Sequence, residues 1–270
     1  MSENESLKPE SWLWHLLGLI NPIIVMASNI VGGYWVASGV IYMLGLGPIL
    51  DMLFGRAAKP KPARASGRPF EALLYIHAFI QFATLGTLLY RASIDGSAWT
   101  TWVAALSTGI SSGVSGIIVA HELGHTRKGS FSWWVGRANL LSVMYLHFTT
   151  EHNFTHHKHV STVKDPATAR YGESVWWFVA RTVPGQFRDA AAVHHRKGKT
   201  GFKNPVYRGL ILQIVMVATM FAFLGPWVTG AFLAQAAFAI FLLEYINYIR
   251  HYGLLRDVGE RQTEMHSWQS

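Results

Sequence analysis

The chain has 270 residues, half of them hydrophobic, with only 14% charged residues, a formal net charge of +8 and no cysteine. So little charge cannot cover a water-soluble domain of this length, and the apolar residues come in long blocks rather than short periodic stripes, so the composition indicates an integral membrane protein. With no cysteine there are neither disulfides nor iron–sulfur ligands, and any electrons come from outside these residues.

Residues 1–10 are acidic and polar and lack the basic n-region and cleavage site of a signal peptide. Apolar blocks over 12–31 and 34–54, separated by Gly32 and Gly33, each match the roughly 20 residues that cross about 30 Å of hydrocarbon. They predict a transmembrane hairpin with a tight turn, kinked in its first arm at Asn21-Pro22. Asp51, near the end of the second arm, reaches either outward to water or toward a histidine. Residues 56–69 carry Arg56, Lys59, Lys61, Arg64 and Arg68 among three prolines, which predicts an exposed loop on the cytoplasmic side. A third crossing is expected over 72–90, then a short, nearly neutral outside connection. A fourth follows over 99–120, rich in Gly, Ser and Ala, which lets neighbouring helices approach closely. It delivers His121 and His125 to the cytoplasmic surface. Residues 126–207 are mixed, and the pairs Trp133-Trp134 and Trp176-Trp177 suit segments lying at headgroup depth. Blocks over 209–224 and 227–249, broken at Gly225-Pro226, predict a second hairpin whose last arm carries Glu244, Asn247 and His251.

The expected architecture is a single all-α polytopic membrane domain over 1–270, with about six transmembrane helices and both termini inside. The basic residues follow the cytoplasmic face, where they serve topology and contact with anionic lipid rather than nucleic acid.

The window 121–165 holds seven of the thirteen histidines. On a helix, residues i and i+4 lie one above the other, so His121 with His125, and His152 with His156, can each present two imidazoles to one ion. His157 faces about 100° away and can reach a second ion. The two clusters supply more nitrogens than one four-coordinate zinc accepts, which favours a two-metal site. His121-Glu-Leu-Gly-His125 also fits the H-E-x-x-H pattern of zinc metalloproteases, with Glu122 as general base. An intramembrane protease of that kind needs one further ligand and leaves the second cluster unexplained. A non-catalytic metal-binding remnant is the third reading. Dense imidazoles repel if protonated and are costly to bury unless something binds them, which argues against a merely polar surface. His147 and His159 suit hydrogen bonding or surface contact, His194-His195 a solvated basic loop, and His15 and His77 the interface or core. His251 ends a membrane helix on the metal side and is a candidate ligand.

At these residues the sequence resembles the bacterial membrane-bound alkane hydroxylases, the alkane 1-monooxygenase family within the membrane fatty acid desaturase and hydroxylase superfamily. The matching segments are His121-Glu-Leu-Gly-His125, then Glu151-His-Asn-Phe-Thr-His-His157 leading into Asp165-Pro-Ala-Thr-Ala-Arg-Tyr-Gly-Glu173, and Asn247-Tyr-Ile-Arg-His-Tyr-Gly253. Pro48-Ile-Leu-Asp51 and His266-Ser-Trp268 are similar to further family segments. The resemblance implies a non-haem di-iron centre, two iron ions at the cytoplasmic ends of six helices in the bacterial inner membrane. That centre would use O2 to hydroxylate the terminal carbon of medium- or long-chain alkanes to primary alcohols. Electrons would come from NADH through rubredoxin reductase and rubredoxin. Carried over motif by motif, His121, His125, His152, His156, His157 and His251 become iron ligands, and Glu122, Asp165 and Glu173 become partners that orient imidazoles. Neighbouring members would instead hydroxylate aryl methyl groups or desaturate fatty acids. Family members continue into a further H-x-x-H-H cluster beyond His266-Ser-Trp268, so the resemblance implies a C-terminally truncated sequence, and these 270 residues alone are expected to be inactive. Arg250 stands where the family has an acidic residue, and a cation there disfavours added positive charge at the site.

Overall fold

The computed structural model describes residues 11–54 and 67–268. The tail over 1–10 and the basic loop up to residue 66 lie outside the described residues. Among the described residues, five helical stretches are long and apolar enough to cross a membrane: α1 (Trp12–Val31), α2 (Gly33–Phe54), α3 (Arg68–Asp95), α4 (Trp99–Gly124) and, last in order, Pro205–His251. Between them come α5 (Phe131–Ser142), α6 over residues 148–159 and α7 (Val175–His195), so the last is α8. Three of the later helices, α5, α7 and α8, start at a side-chain cap. Ser130 Oγ accepts from Trp133 N, Ser174 Oγ from Trp177 N, and Asn204 Oδ1 from Val206 N just ahead of Pro205.

The tight turn between α1 and α2 depends on one glycine and one arginine. Gly32 adopts φ 78°, and a Cβ there would lie 2.5 Å from the Arg91 guanidinium. Arg91 Nε donates to Asn29 O (2.7 Å), its Nη2 donates to Ile30 O (2.6 Å), and its Nη1 pairs with Asp95 (3.1 Å). The last carbonyls of α1, which have no partner within the helix, are thereby satisfied by a cation at the negative end of its dipole. The expected break at Asn21-Pro22 takes the form of a change of winding, from a 3-10 stretch over Trp12–Leu19 to α-helix from Ile20.

The second hairpin is two helical arms that meet at a kink at Gly225. Its 47 residues would reach roughly 70 Å if straight, far beyond the hydrocarbon core. At Gly225 the backbone turns to φ 80°, ψ 176°. Pro205 and Val206, at its start, share a cavity with His125, and the His251 ring, at its end, lies 5.5 Å from that of His156. Both ends of α8 therefore sit on the histidine side, and its two arms bring the membrane arms among the described residues to six.

Helix α4 is the innermost: 72% of its apolar window is buried, against 28% for α1 and α3 and 11% for α2 and α8. Its buried residues include Thr101, Ala104, Ala105, Ser107, Thr108 and Gly109. α8 packs against it more extensively than any other pair of elements does. The small side chains permit that approach, and polar ones tie both helices to their neighbours: Gln81 Nε2 of α3 donates to Ser112 Oγ of α4 (2.9 Å), and Gln235 Nε2 of α8 to Ser142 O of α5 (2.8 Å). α5, α6 and α7 lie across the histidine end of this bundle.

Candidate metal centre

Helix α4 changes to π-type winding, with i→i+5 hydrogen bonds, over Ser112–Ile118 and returns to α-helix at Val119, two residues before His121. One extra residue in a turn rotates everything after it by about 100°, so the π turn helps aim His121 and His125. Their Nε2 atoms lie 3.3 Å apart. A second π turn, His152–His156, spans the middle histidine motif itself. It brings a second imidazole up to His152, edge-on, beside the His156 ring that stacks on it. The rings of His152 and His157 are 4.3 Å apart, closer than the 5.2 Å between His152 and His156. His157 thus joins the first group instead of facing away, at 5.3 Å from His125. His156 turns toward His251, at 5.5 Å. His152 bridges the two halves, 4.3 Å from His121. Among the described residues, His121, His125 and His152 each offer a nitrogen within 4.8 Å of the others.

Burial pushes the pKa of His152 far down, and neighbouring His156, His121, His157 and His125 add to this. His157 is lowered by burial and then by His156 and His125. Both imidazoles are therefore neutral, the form that binds metals. His152 Nε2 is buried with no hydrogen-bond partner, a cost that an ion in the cluster removes. The donor set fits a metal.

The acidic residues separate into different roles. Asp165 is 3% exposed, and its Oδ2 lies 3.1 Å from His156 Nδ1 while accepting from Thr168 Oγ1 at 2.7 Å. Burial alone pushes its pKa up, but the His156 contact and the Thr168 and Ala167 hydrogen bonds hold it below the usual carboxylate range. Among the described residues, Glu173 pairs with Arg181 and not with a histidine. Arg181 engages it through Nε and Nη2, each at 2.8 Å, while Arg181 also donates to the Pro166 and Thr168 carbonyls. Glu173 thus holds the loop carrying Asp165. The Glu122 side chain is 58% exposed, 3.9 Å from His121 Nε2. Asp51 is exposed, consistent with its solvated reading.

Sequence reasoning overlooked a buried polar network beside the cluster. Glu244, 0% exposed, accepts from Tyr145 Oη (3.0 Å), Gln186 Nε2 (2.9 Å) and Asn247 Nδ2 (3.2 Å). Glu151, 1% exposed, leaves Oε1 without a partner, and burial first, then Asp165 and Glu244, pushes its carboxyl well above its ordinary range. The available signals were Glu244 standing seven residues, two helical turns, before His251, and Glu151 immediately preceding His152.

Among the other histidines, His147 lies between Tyr145 and Phe187, outside the cluster, and burial and Arg137 lower its pKa to about 4. His194 is not in a solvated loop: α7 extends through it and buries it. His77 Nδ1 lies 3.2 Å from Ser115 Oγ, within the bundle. The segment after α8 folds back over the site. Arg256 donates to the Val160 and Lys158 carbonyls, and the His266 carbonyl accepts from Ser161 Oγ (2.7 Å) and faces His251 Nδ1 at 3.5 Å. The Arg250 side chain is exposed.

Residues 97–269 match the fatty acid desaturase family. Over 88% of its length the chain is 34% identical to an alkane 1-monooxygenase of Pseudomonas putida, covering 65% of that protein. It is 33% identical over 97% of its length to alkane 1-monooxygenase 1 of Alcanivorax borkumensis, covering 69% of it. Alkane 1-monooxygenase 1 of Pseudomonas aeruginosa is 35% identical over 96% of the chain, with 73% covered. The chain thus spans about two thirds of the length of these relatives. Together with the spans and the histidine cluster, these likenesses describe a multi-pass membrane protein with a metal site.

Proposed function

Since the chain belongs to the alkane 1-monooxygenase family, within the fatty acid desaturase superfamily, we propose that it forms a two-iron monooxygenase that hydroxylates the terminal carbon of medium- or long-chain alkanes. The observation that carries this reading is the convergence of six histidines from three separate segments at one end of the spans, each ring within 5.5 Å of another. His121, His125, His152 and His157 surround one position. His156 and His251 face the other. Bound there, two irons supply O2 activation and oxygen insertion into a C–H bond. The protein supplies orientation: Asp165 accepts the Nδ1 proton of His156, fixing the tautomer that turns Nε2 toward an ion. The apolar helices offer an alkane the same environment as the bilayer, where each buried methylene contributes about 0.8 kcal/mol. Electrons would arrive from rubredoxin and its NADH-linked reductase at the inner-membrane face toward the cytoplasm.

The test is metal content and product formation in detergent, for the 270-residue chain and for the chain continued through an H-x-x-H-H segment of a relative. The expected result for the longer form is about two irons per chain and conversion of octane to 1-octanol once rubredoxin, reductase and NADH are added. Hexadecane and xylene in parallel separate long-alkane and aryl-methyl selectivity. One zinc in both forms, no alcohol, and peptide cleavage lost in Glu122→Gln would overturn the proposal in favour of hydrolysis.

A further inference from the structure

A cavity of about 490 Å³ lies beside the metal cluster, between the end of α4, α5, α6, the end of α7 and the start of α8. Lys128, Arg137 and Lys197 stand on its wall, and among the described residues no acidic side chain lines it. Its remaining lining is mixed, with the polar Thr126 and Asn153 and the apolar Trp133 and Val206. His194 also lines it, is nine-tenths buried, and has an Nδ1 with no hydrogen-bond partner. A buried, unpartnered ring nitrogen costs stability unless a partner reaches it. Burial lowers the pKa of His194, and Lys128, Lys197, Lys199 and Arg137 lower it further, a concentration of positive potential that no carboxylate on the wall offsets.

The chemistry of the occupant follows from these features. A metal ion is repelled by these cations, of which Lys128 and Lys197 are exposed and Arg137 half-buried, and a neutral alkane offers them no charge to pair with. An anion satisfies both the lysines and the orphan nitrogen. Arg137 Nη1 is committed to the Leu146 carbonyl, so it contributes field, while the lysines are the point charges suited to phosphate. The cavity is within the 300–1,000 Å³ range of small-molecule sites, and the apolar Val206 on its wall belongs to the membrane arm that starts at Pro205. We propose that this cavity binds a phosphate group, that of an anionic phospholipid, held by Lys128, Lys197 and His194, with the acyl chains leaving past Trp133 and Val206 into the bilayer. Basic pockets between helix ends recognise lipid headgroups in this way.

The experiment is native mass spectrometry and equilibrium binding of the detergent-solubilised full chain with phosphatidylglycerol, phosphatidylcholine and inorganic phosphate. The expected result is one tightly retained phosphatidylglycerol, preferred over phosphatidylcholine, and a loss of affinity of roughly tenfold or more in Lys128→Gln/Lys197→Gln. Equal binding of the two lipids overturns the proposal, as does unchanged binding in a double variant whose melting matches the parent. Displacement of the lipid by millimolar inorganic phosphate assigns the site to free phosphate and overturns the lipid source. If the double variant fails to fold, Lys197→Gln alone decides by the same criteria, since Lys197 is exposed and its backbone lies beyond the end of α7.

Discussion

Helices α2 and α4 have the same mean hydropathy, 1.7, and similar lengths of 22 and 26 residues, yet 11% of one window is buried and 72% of the other. In water such equality would predict equal burial. In a bilayer the lipid is as apolar as the protein interior, so hydropathy does not sort helices into inside and outside, and the size of the side chains does. α2 turns Ile41, Leu44, Ile49 and Met52 outward. α4 brings Gly109, Gly113 and Gly116 against α8 and α3. The helix built from small residues is the one that runs into the first metal-side histidines. A stable position for His121 requires neighbours that touch the backbone of α4 closely, and only small residues allow that.

The largest effect is expected where this contact is closest. A Cβ at Gly109 would lie 2.6 Å from Phe238 Cβ and 2.7 Å from the Gln235 carbonyl oxygen. Backbone cannot yield as a flexible side chain does, so Gly109→Ala forces α4 away from α8 at a cost of about 1–3 kcal/mol. Those two helices bear His121, His125 and His251, so metal content is expected to fall with stability. Thermal unfolding in detergent and metal analysis check both, and a variant that melts and binds metal like the parent breaks the comparison.

The next effect leaves the bundle intact and acts on the site alone. Asp165→Asn keeps the shape of a buried side chain but replaces the acceptor that faces His156 Nδ1. Metal affinity is expected to drop by roughly 10–100-fold, read by competition with a chelator, while melting of the metal-free protein changes less than in Gly109→Ala. Equal losses of stability and affinity would show that Asp165 holds the loop rather than the imidazole. Smaller again is Gln81→Ala. Gln81 is fully buried and donates to Ser112 and Ser142 at 2.9 and 3.2 Å, tying α3 and α5 to the π turn of α4. Polar contacts between membrane helices contribute about 0.6 kcal/mol on average and up to about 1.7, so melting is expected to fall measurably but by less than for Gly109→Ala.

The spans were legible because a bilayer sets a minimum length of apolar sequence, and Gly32-Gly33 and Gly225-Pro226 marked both reversals correctly. The order of burial was legible only in part, through the Gly, Ser and Ala of α4. Spacing identified the histidine segments, but assumed α-helical periodicity, and the π turn over His152–His156 placed His157 where His156 was expected. Winding of that kind depends on packing around the helix and leaves no mark in a single sequence. The partner of Glu173 was missed for a similar reason: Arg181 lies on the next helix, and only the folded loop brings the two to 2.8 Å. His194 was misread because a basic stretch resembles a solvated loop, whereas α7 continues beneath it.

The smallest expected effect tests the other half of the comparison. Gly45 lies in α2, within the π turn Ile41–Leu46, and a Cβ there would meet nothing within 4 Å. The substitution is chemically the same as Gly109→Ala, so any difference between the two reports surroundings and not helix propensity. With no neighbour to displace and a less flexible unfolded chain, Gly45→Ala is expected to be neutral to slightly stabilising, by about 0.5 kcal/mol at most. Melting curves of the two variants, recorded in the same detergent, measure the contrast directly. If Gly45→Ala costs as much as Gly109→Ala, the outward face of α2 is packed against protein and not lipid, and a second chain covers it in the membrane.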